Sequence, residues 1–179
     1  MVKVFPLIFV LLWSSAFITT KPIIDNSDPF SALAFRFLIV AIGFFLFSIY
    51  LKQKIIINQK NFTESFFSGV LFHGLYLGGV FFSISKGMPT GIAALIVTLQ
   101  PILTNALSGP ILNEKVSIKQ WIGVLLGFIG AALVLGFDVG SSIPILGLVA
   151  TIVALIAITT STIWQKKLSN NLPLPVSNM

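Results

Sequence analysis

The chain holds one arginine, Arg36, and it lies inside a long apolar run. A guanidinium stays charged at physiological pH and is costly in hydrocarbon, so it must face a helical bundle or a wet cavity. Otherwise it snorkels outward to helix-end carbonyls or to Asp25 and Asp28. His73 is the only histidine, and it sits in another apolar run beside Gly74 and Tyr76. Imidazole titrates near neutral pH, so His73 either relays a proton or rests neutral in a hydrogen bond to a neighbouring helix. Pro101 falls midway along a third such run, where its missing N–H frees the carbonyl of Val97. Thr98 and Asn105 share its face, with Gln100 and Thr104 on the adjacent one. A kink with polar groups around it is either a ligand site or a packing bend satisfied by other helices. Trp13 lies mid-run with Ser14, Ser15 and Thr19, placing an indole N–H where it lines a cavity or bonds a core serine. The candidate substrate-binding set is therefore Trp13, Ser15, Arg36, His73, Tyr76, Thr98, Gln100, Pro101 and Asn105.

Much other chemistry is excluded. There is no cysteine, which removes disulfides, thiol chemistry and Cys/His zinc sites. The five acidic residues (Asp25, Asp28, Glu64, Glu114, Asp138) all fall outside the apolar runs. No Walker A loop, dinucleotide fingerprint or nucleophile–His–acid set appears. The sequence predicts no catalytic residues, no metal and no cofactor, and a protein that is not an enzyme.

The elements that must position these residues follow from composition. Of 179 residues, 56% are apolar and 9% charged, with a mean hydropathy of +1.02. That is too little polar surface for a soluble domain, so the expected fold is an all-α polytopic membrane bundle whose principal partner is the lipid bilayer. Six runs are long enough to cross a bilayer: Val4–Ile24, Phe30–Leu51, Phe66–Ser85, Gly91–Leu112, Ile118–Phe137 and Ile145–Trp164. Turn formers and charges punctuate them, at 25–29, 52–64, 86–89, 113–115 and 138–144. Alternate loops put Lys3, Lys52, Lys54, Lys60, Lys115, Lys119, Lys166 and Lys167 on one side, against Lys21 and Lys86 on the other. The positive-inside rule then places both termini in the cytoplasm of a plasma-membrane protein. It also accounts for the net charge of +6 without nucleic acid, for which no basic run with interleaved aromatics exists. Lys3 followed by an apolar run imitates a signal peptide, but no A-x-A cleavage site follows, so the segment reads as a retained helix. The pairs Gly74/Gly78 and Gly123/Gly127 predict close helix packing.

A weak internal match exists at an offset of 145, with Ile18, Lys21 and Asn26 falling on Ile163, Lys166 and Asn171. Five helices per repeat would insert a second copy inverted, an arrangement that builds midplane sites. The sequence thus divides into a five-helix repeat over 1–138 and the start of a second over 139–179, whose tail from Leu172 to Met179 reads like a loop entering a further helix.

Five ordered segments carry a resemblance: LWSSAF at 12–17, Pro29 to Arg36, HGLYL at 73–77, IAALIVTLQPILT at 92–104 with Asn113-Glu114-Lys115, and QWIGVLLGFIGAALV at 120–134. Together they resemble the EamA-like drug/metabolite transporters over essentially the whole chain. The resemblance implies ten helices in two inverted five-helix repeats, moving small metabolites without ATP. It implies a permease or exporter working by alternating access, with the substrate at the midplane among helices one to four. This chain ends four helices earlier, so the implied partner is a missing C-terminal half or a second copy in a homodimer. The other expectation is a non-transporting membrane subunit that needs a partner chain.

Overall fold

The structure, a computed structural model, describes residues 4–52, 58–112, 116–135 and 143–168. The expected Asn113-Glu114-Lys115 connection, Phe137 at the end of the fifth run and the 172–179 tail lie outside these residues. All the described secondary structure is helical: α1 (Phe5–Asn26), α2 (Pro29–Tyr50), α3 (Gln59–Gly69), a π-helical segment (Val70–Leu77), α4 (Gly78–Ser85), α5 (Thr90–Val97), α6 (Gln100–Leu112), α7 (Ile118–Leu135) and α8 (Ile145–Leu168). Among the described residues, five spans are long and apolar enough to cross a membrane, and Ile118–Gly130 adds a shorter apolar helix. The chain is a multi-pass helical membrane protein.

Local chemistry sets the helix ends. The Asp28 carboxylate accepts the Ser31 N–H at 2.8 Å and Pro29 opens α2, a conformation proline is built for. The Asn58 amide oxygen accepts the Asn61 N–H at 2.7 Å to start α3. Ser117 and Gln120 form a reciprocal capping box before α7, with bonds of 2.8 Å and 3.3 Å. At the end of α4, Gly87 takes a φ of +88°, the Gly87 N–H reaches the Ile84 carbonyl, and the Met88 N–H reaches the Ser83 carbonyl. This is a Schellman cap, and the positive φ is why glycine stands there.

Two features depart from regular α-helix. The third span runs from Gln59 to Ser85 as one rod of 27 residues, wound as π-helix between Val70 and Leu77. It starts upstream of the expected Phe66, so Glu64 lies on the helix instead of in a loop, half-buried with Oε2 lacking a hydrogen-bond partner among the described residues. The fourth span is interrupted at Thr98–Leu99. There the Leu99 N–H turns back to the Ile96 carbonyl at 3.1 Å, and Pro101 two residues on offers no N–H to Val97. This interruption lies immediately ahead of Pro101, where the sequence expects a kink.

α8 sits at the centre, packed against α3, the π-helical segment, α4, α5 and α6. Between apolar helices in lipid there is little hydrophobic driving force, so small residues and hydrogen bonds hold the contact. A Cβ on Gly79 would lie 3.1 Å from both the Ala150 carbonyl and Ala154 Cβ, and one on Gly147 would lie 3.1 Å from Met88 Cβ. Ser83 bonds Thr151 at 2.6 Å, Ser68 bonds Ser161 at 3.2 Å, and Gln100 Nε2 donates to Thr162 at 3.2 Å. Of the pairs Gly74/Gly78 and Gly123/Gly127, only Gly78 meets another helix, where a Cβ would stand 3.7 Å from the Phe30 ring of α2; Gly74 meets only Val70 of its own helix, at 3.9 Å, and among the described residues nothing lies within 4 Å of a Cβ on Gly123 or Gly127. Glycine spacing marks a helix face that permits close approach, and only tertiary packing selects which such face is used. The apolar core joins Tyr76, Val80, Ile84, Met88, Ala93 and Val97 to Ala154, Ala157 and Ile158. α1 and α2 pack on the outside of this unit, both touching α4.

Candidate functional site

A cavity of about 210 Å³ lies between α1, α2, the π-helical segment and α4. α1 contributes Phe9, Trp13, Phe17 and Thr20, residues spaced so that one helical face carries them all. The rings of Phe9 and Trp13 are 5.2 Å apart, which extends the aromatic wall along α1. Thr20 is 4% exposed and its hydroxyl donates to the Ala16 carbonyl, leaving its methyl group to the cavity's apolar character. Arg36 enters from α2 as the only charged side chain among the described residues of the lining.

The π-helical segment supplies Phe72 and Tyr76, whose rings meet edge to face at 5.4 Å. A π-helix closes its hydrogen bonds at i→i+5, which widens the turn and rotates side chains away from the register of an α-helix. Such irregularities are frequent at functional sites. His73 stands directly behind this wall. Its imidazole packs 4.6 Å from the Phe37 ring and 5.1 Å from the Phe72 ring, and buried Nδ1 has no hydrogen-bond partner among the described residues. Arg36 lies within electrostatic reach of both His73 and Tyr76.

Neither acidic group at the α1–α2 turn is free to neutralise Arg36. Lys21 Nζ pairs with Asp25 at 2.7 Å and 3.0 Å, which makes Lys21 a helix-end anchor, and Asp28 caps α2. No hydrogen bond or salt bridge joins Arg36 to another described residue.

Trp13, Arg36 and Tyr76 are thus brought to one cavity, with His73 at its wall. The remaining candidates lie elsewhere. Ser15 is exposed on α1 and donates to the Leu12 carbonyl at 2.8 Å. Thr98 turns its hydroxyl to the Leu95 carbonyl at 2.6 Å, and Gln100 is spent on Thr162 of α8. Pro101 is exposed in the first turn of α6, and Asn105 is half-buried further along it. Phe9, Phe17, Thr20 and Phe72 join the lining without having stood out in the sequence. Only the i, i+4, i+8 spacing of Phe9, Trp13 and Phe17 hinted at a shared aromatic face.

The EamA-like transporter family profile matches residues 3–136, about three-quarters of the chain. The chain belongs to this family. Its match takes in α1 to α7 and every residue of the cavity. This EamA-like chain is 26% identical over 170 residues to a probable amino-acid metabolite efflux pump of Salmonella typhimurium, covering 94% of this chain and 54% of that protein. It is 25% identical over 178 residues to the protein of the same description in Escherichia coli, covering 96% and 56%. The uncharacterized transporter YdfC of Bacillus subtilis is 28% identical over 128 residues, 69% of this chain and 40% of that one. The chain spans about half the length of the curated relatives it matches. No solved structure gives a significant match.

Proposed function

We propose that the protein is a secondary transporter of small organic metabolites and that it works by alternating access in the plasma membrane. The observation that carries this reading is the cavity of about 210 Å³ within the membrane-spanning helices of an EamA-like chain. Trp13, Arg36 and Tyr76 bind the substrate there, and His73 supports the wall. The π-helical segment and the break at Thr98–Leu99 supply backbone that can change its winding while α8 stays docked. The lysine asymmetry supports cytoplasmic termini.

Absence of native cysteine makes the test clean. Single cysteines at Phe17 and Thr20 are labelled with a membrane-impermeant maleimide from each face of oriented vesicles. Labelling from either face, slowed by a transported metabolite, is the expected result. Labelling from one face only, indifferent to every metabolite, overturns alternating access.

The half-length coverage of its relatives favours a second reading, in which these helices act only beside a further five-helix repeat. The two copies of an inverted pair point opposite ways, whereas the lysine bias assigns one orientation to every copy, so the complement is a different polypeptide segment and not this chain again. A native-membrane complex well above 19.4 kDa that cross-links through α1 or α2 supports this second reading.

A further inference from the structure

We infer that the cavity selects monoanionic carboxylates with an apolar, ring-sized body over neutral or zwitterionic molecules of the same shape. This rests on the cavity being the transport site proposed above. Among the described residues the lining offers one cation, Arg36, and no carboxylate, so they can neutralise an acid group but have nothing to pair with an ammonium. Among the described residues no carboxylate pairs with Arg36: Asp25 is held by Lys21, and Asp28 by the Ser31 N–H. Arg36 lies about 10 Å along α2 from Pro29, a depth at which an unpaired charge in a bilayer is costly. An incoming carboxylate supplies what the fold leaves out, and the planar guanidinium can hold both of its oxygens.

The rest of the wall fixes the body of the ligand. Trp13 and Phe17 of α1 and Phe72 and Tyr76 of the π-helical segment all line it, so a flat apolar group meets aromatic rings while its acid group pairs with Arg36 of α2. At roughly 30 Å³ per water, the cavity holds about seven waters or one small acid, well below drug-sized sites. The anion on Arg36 could also be a lipid phosphate, the other source of the same chemistry, and the test separates the two.

Trp13 reports directly on the cavity once Trp121 and Trp164 are replaced by Phe. The purified chain in phosphatidylcholine nanodiscs is titrated with phenylacetate, phenylacetamide and phenylglycine, which share a ring on a one-carbon arm and carry respectively a carboxylate, a neutral amide, and a carboxylate beside an ammonium. Phenylacetate is expected to quench Trp13 saturably and to bind about tenfold or more tightly than the amide or the zwitterion. Arg36→Gln should abolish that preference, and Arg36→Lys should keep part of it. Equal binding of all three leaves the cavity as a small-molecule site and overturns only the charge selection. Binding of phenylglycine as tight as phenylacetate overturns the exclusion of ammonium. No quenching by any of them overturns the proposal and the cavity's role together. If added phosphatidylglycerol shifts Trp13 emission through Arg36 and displaces phenylacetate, the anion is a lipid headgroup and the carboxylate assignment falls. The wild-type comparison of the three ligands needs no Arg36 variant, so a misfolded variant does not shield the proposal.

Discussion

The hydroxyls of Ser83 and Thr151 lie 2.6 Å apart although 68 residues separate them, and both residues are fully buried. The Gly147 carbonyl accepts from the same pair, 2.8 Å from Ser83 Oγ and 2.9 Å from Thr151 Oγ1. Two hydroxyl protons serve three contacts, so the group acts as one unit tying α4 to α8. Ser83→Ala and Thr151→Val should each destabilise the bundle, while the double variant should cost little more than either alone. The expected coupling is about 0.6–1.7 kcal/mol, the range for hydrogen bonds between membrane helices. Unfolding in mixed micelles measures it, and strictly additive losses would show that the pair is not shared.

Pro101→Ala returns an N–H to a position where the Val97 carbonyl lacks one. The fourth span should then close over Thr98–Leu99 into a continuous helix. Stability should hold or rise, by up to about 3 kcal/mol if the break now carries the full cost of an interior proline. Flux should fall while the amount inserted in the membrane stays at the wild-type level. Unchanged flux in a transport-competent assembly would reduce the kink to a packing feature.

The carboxyl of Asp28 is held below its ordinary value of 3.8, chiefly by the Ser31 backbone N–H and also by the Ser31 hydroxyl. A depressed carboxyl stabilises the fold in its ionised form. Its contribution is therefore complete above the ordinary value and is lost as the pH falls through the lowered one. Fraying of the α2 N-terminus, followed as amide exchange at Ser31 corrected for its intrinsic pH dependence, should rise on acidification in that window. Asp28→Asn keeps an accepting oxygen without the titration, so its corrected exchange should be flat with pH. A pH-dependent rise that persists in Asp28→Asn would assign the effect to another group.

The membrane character, the helical spans and the family resemblance were legible in the residues, because crossing a bilayer requires long apolar runs and those runs are local properties of the chain. Pro101 announced the break in the fourth span for a similarly local reason: the missing N–H belongs to the residue itself. Arg36 and His73 stood out because charge and imidazole are rare in hydrocarbon.

Direction was not legible. In water, a helix declares its buried face by apolar periodicity, but a span is apolar all round, so its sequence carries little record of which side meets protein and which meets lipid. Tertiary structure alone turned Trp13, Arg36 and Tyr76 toward one cavity, added Thr20 and Phe72, and sent Gln100 to Thr162 instead. It also chose Gly79 and Gly147 over the glycine pairs with the familiar spacing, and wound Val70–Leu77 as π-helix with no proline to signal it. These outcomes depend on how the helices fit against one another, a long-range relation that no local pattern encodes.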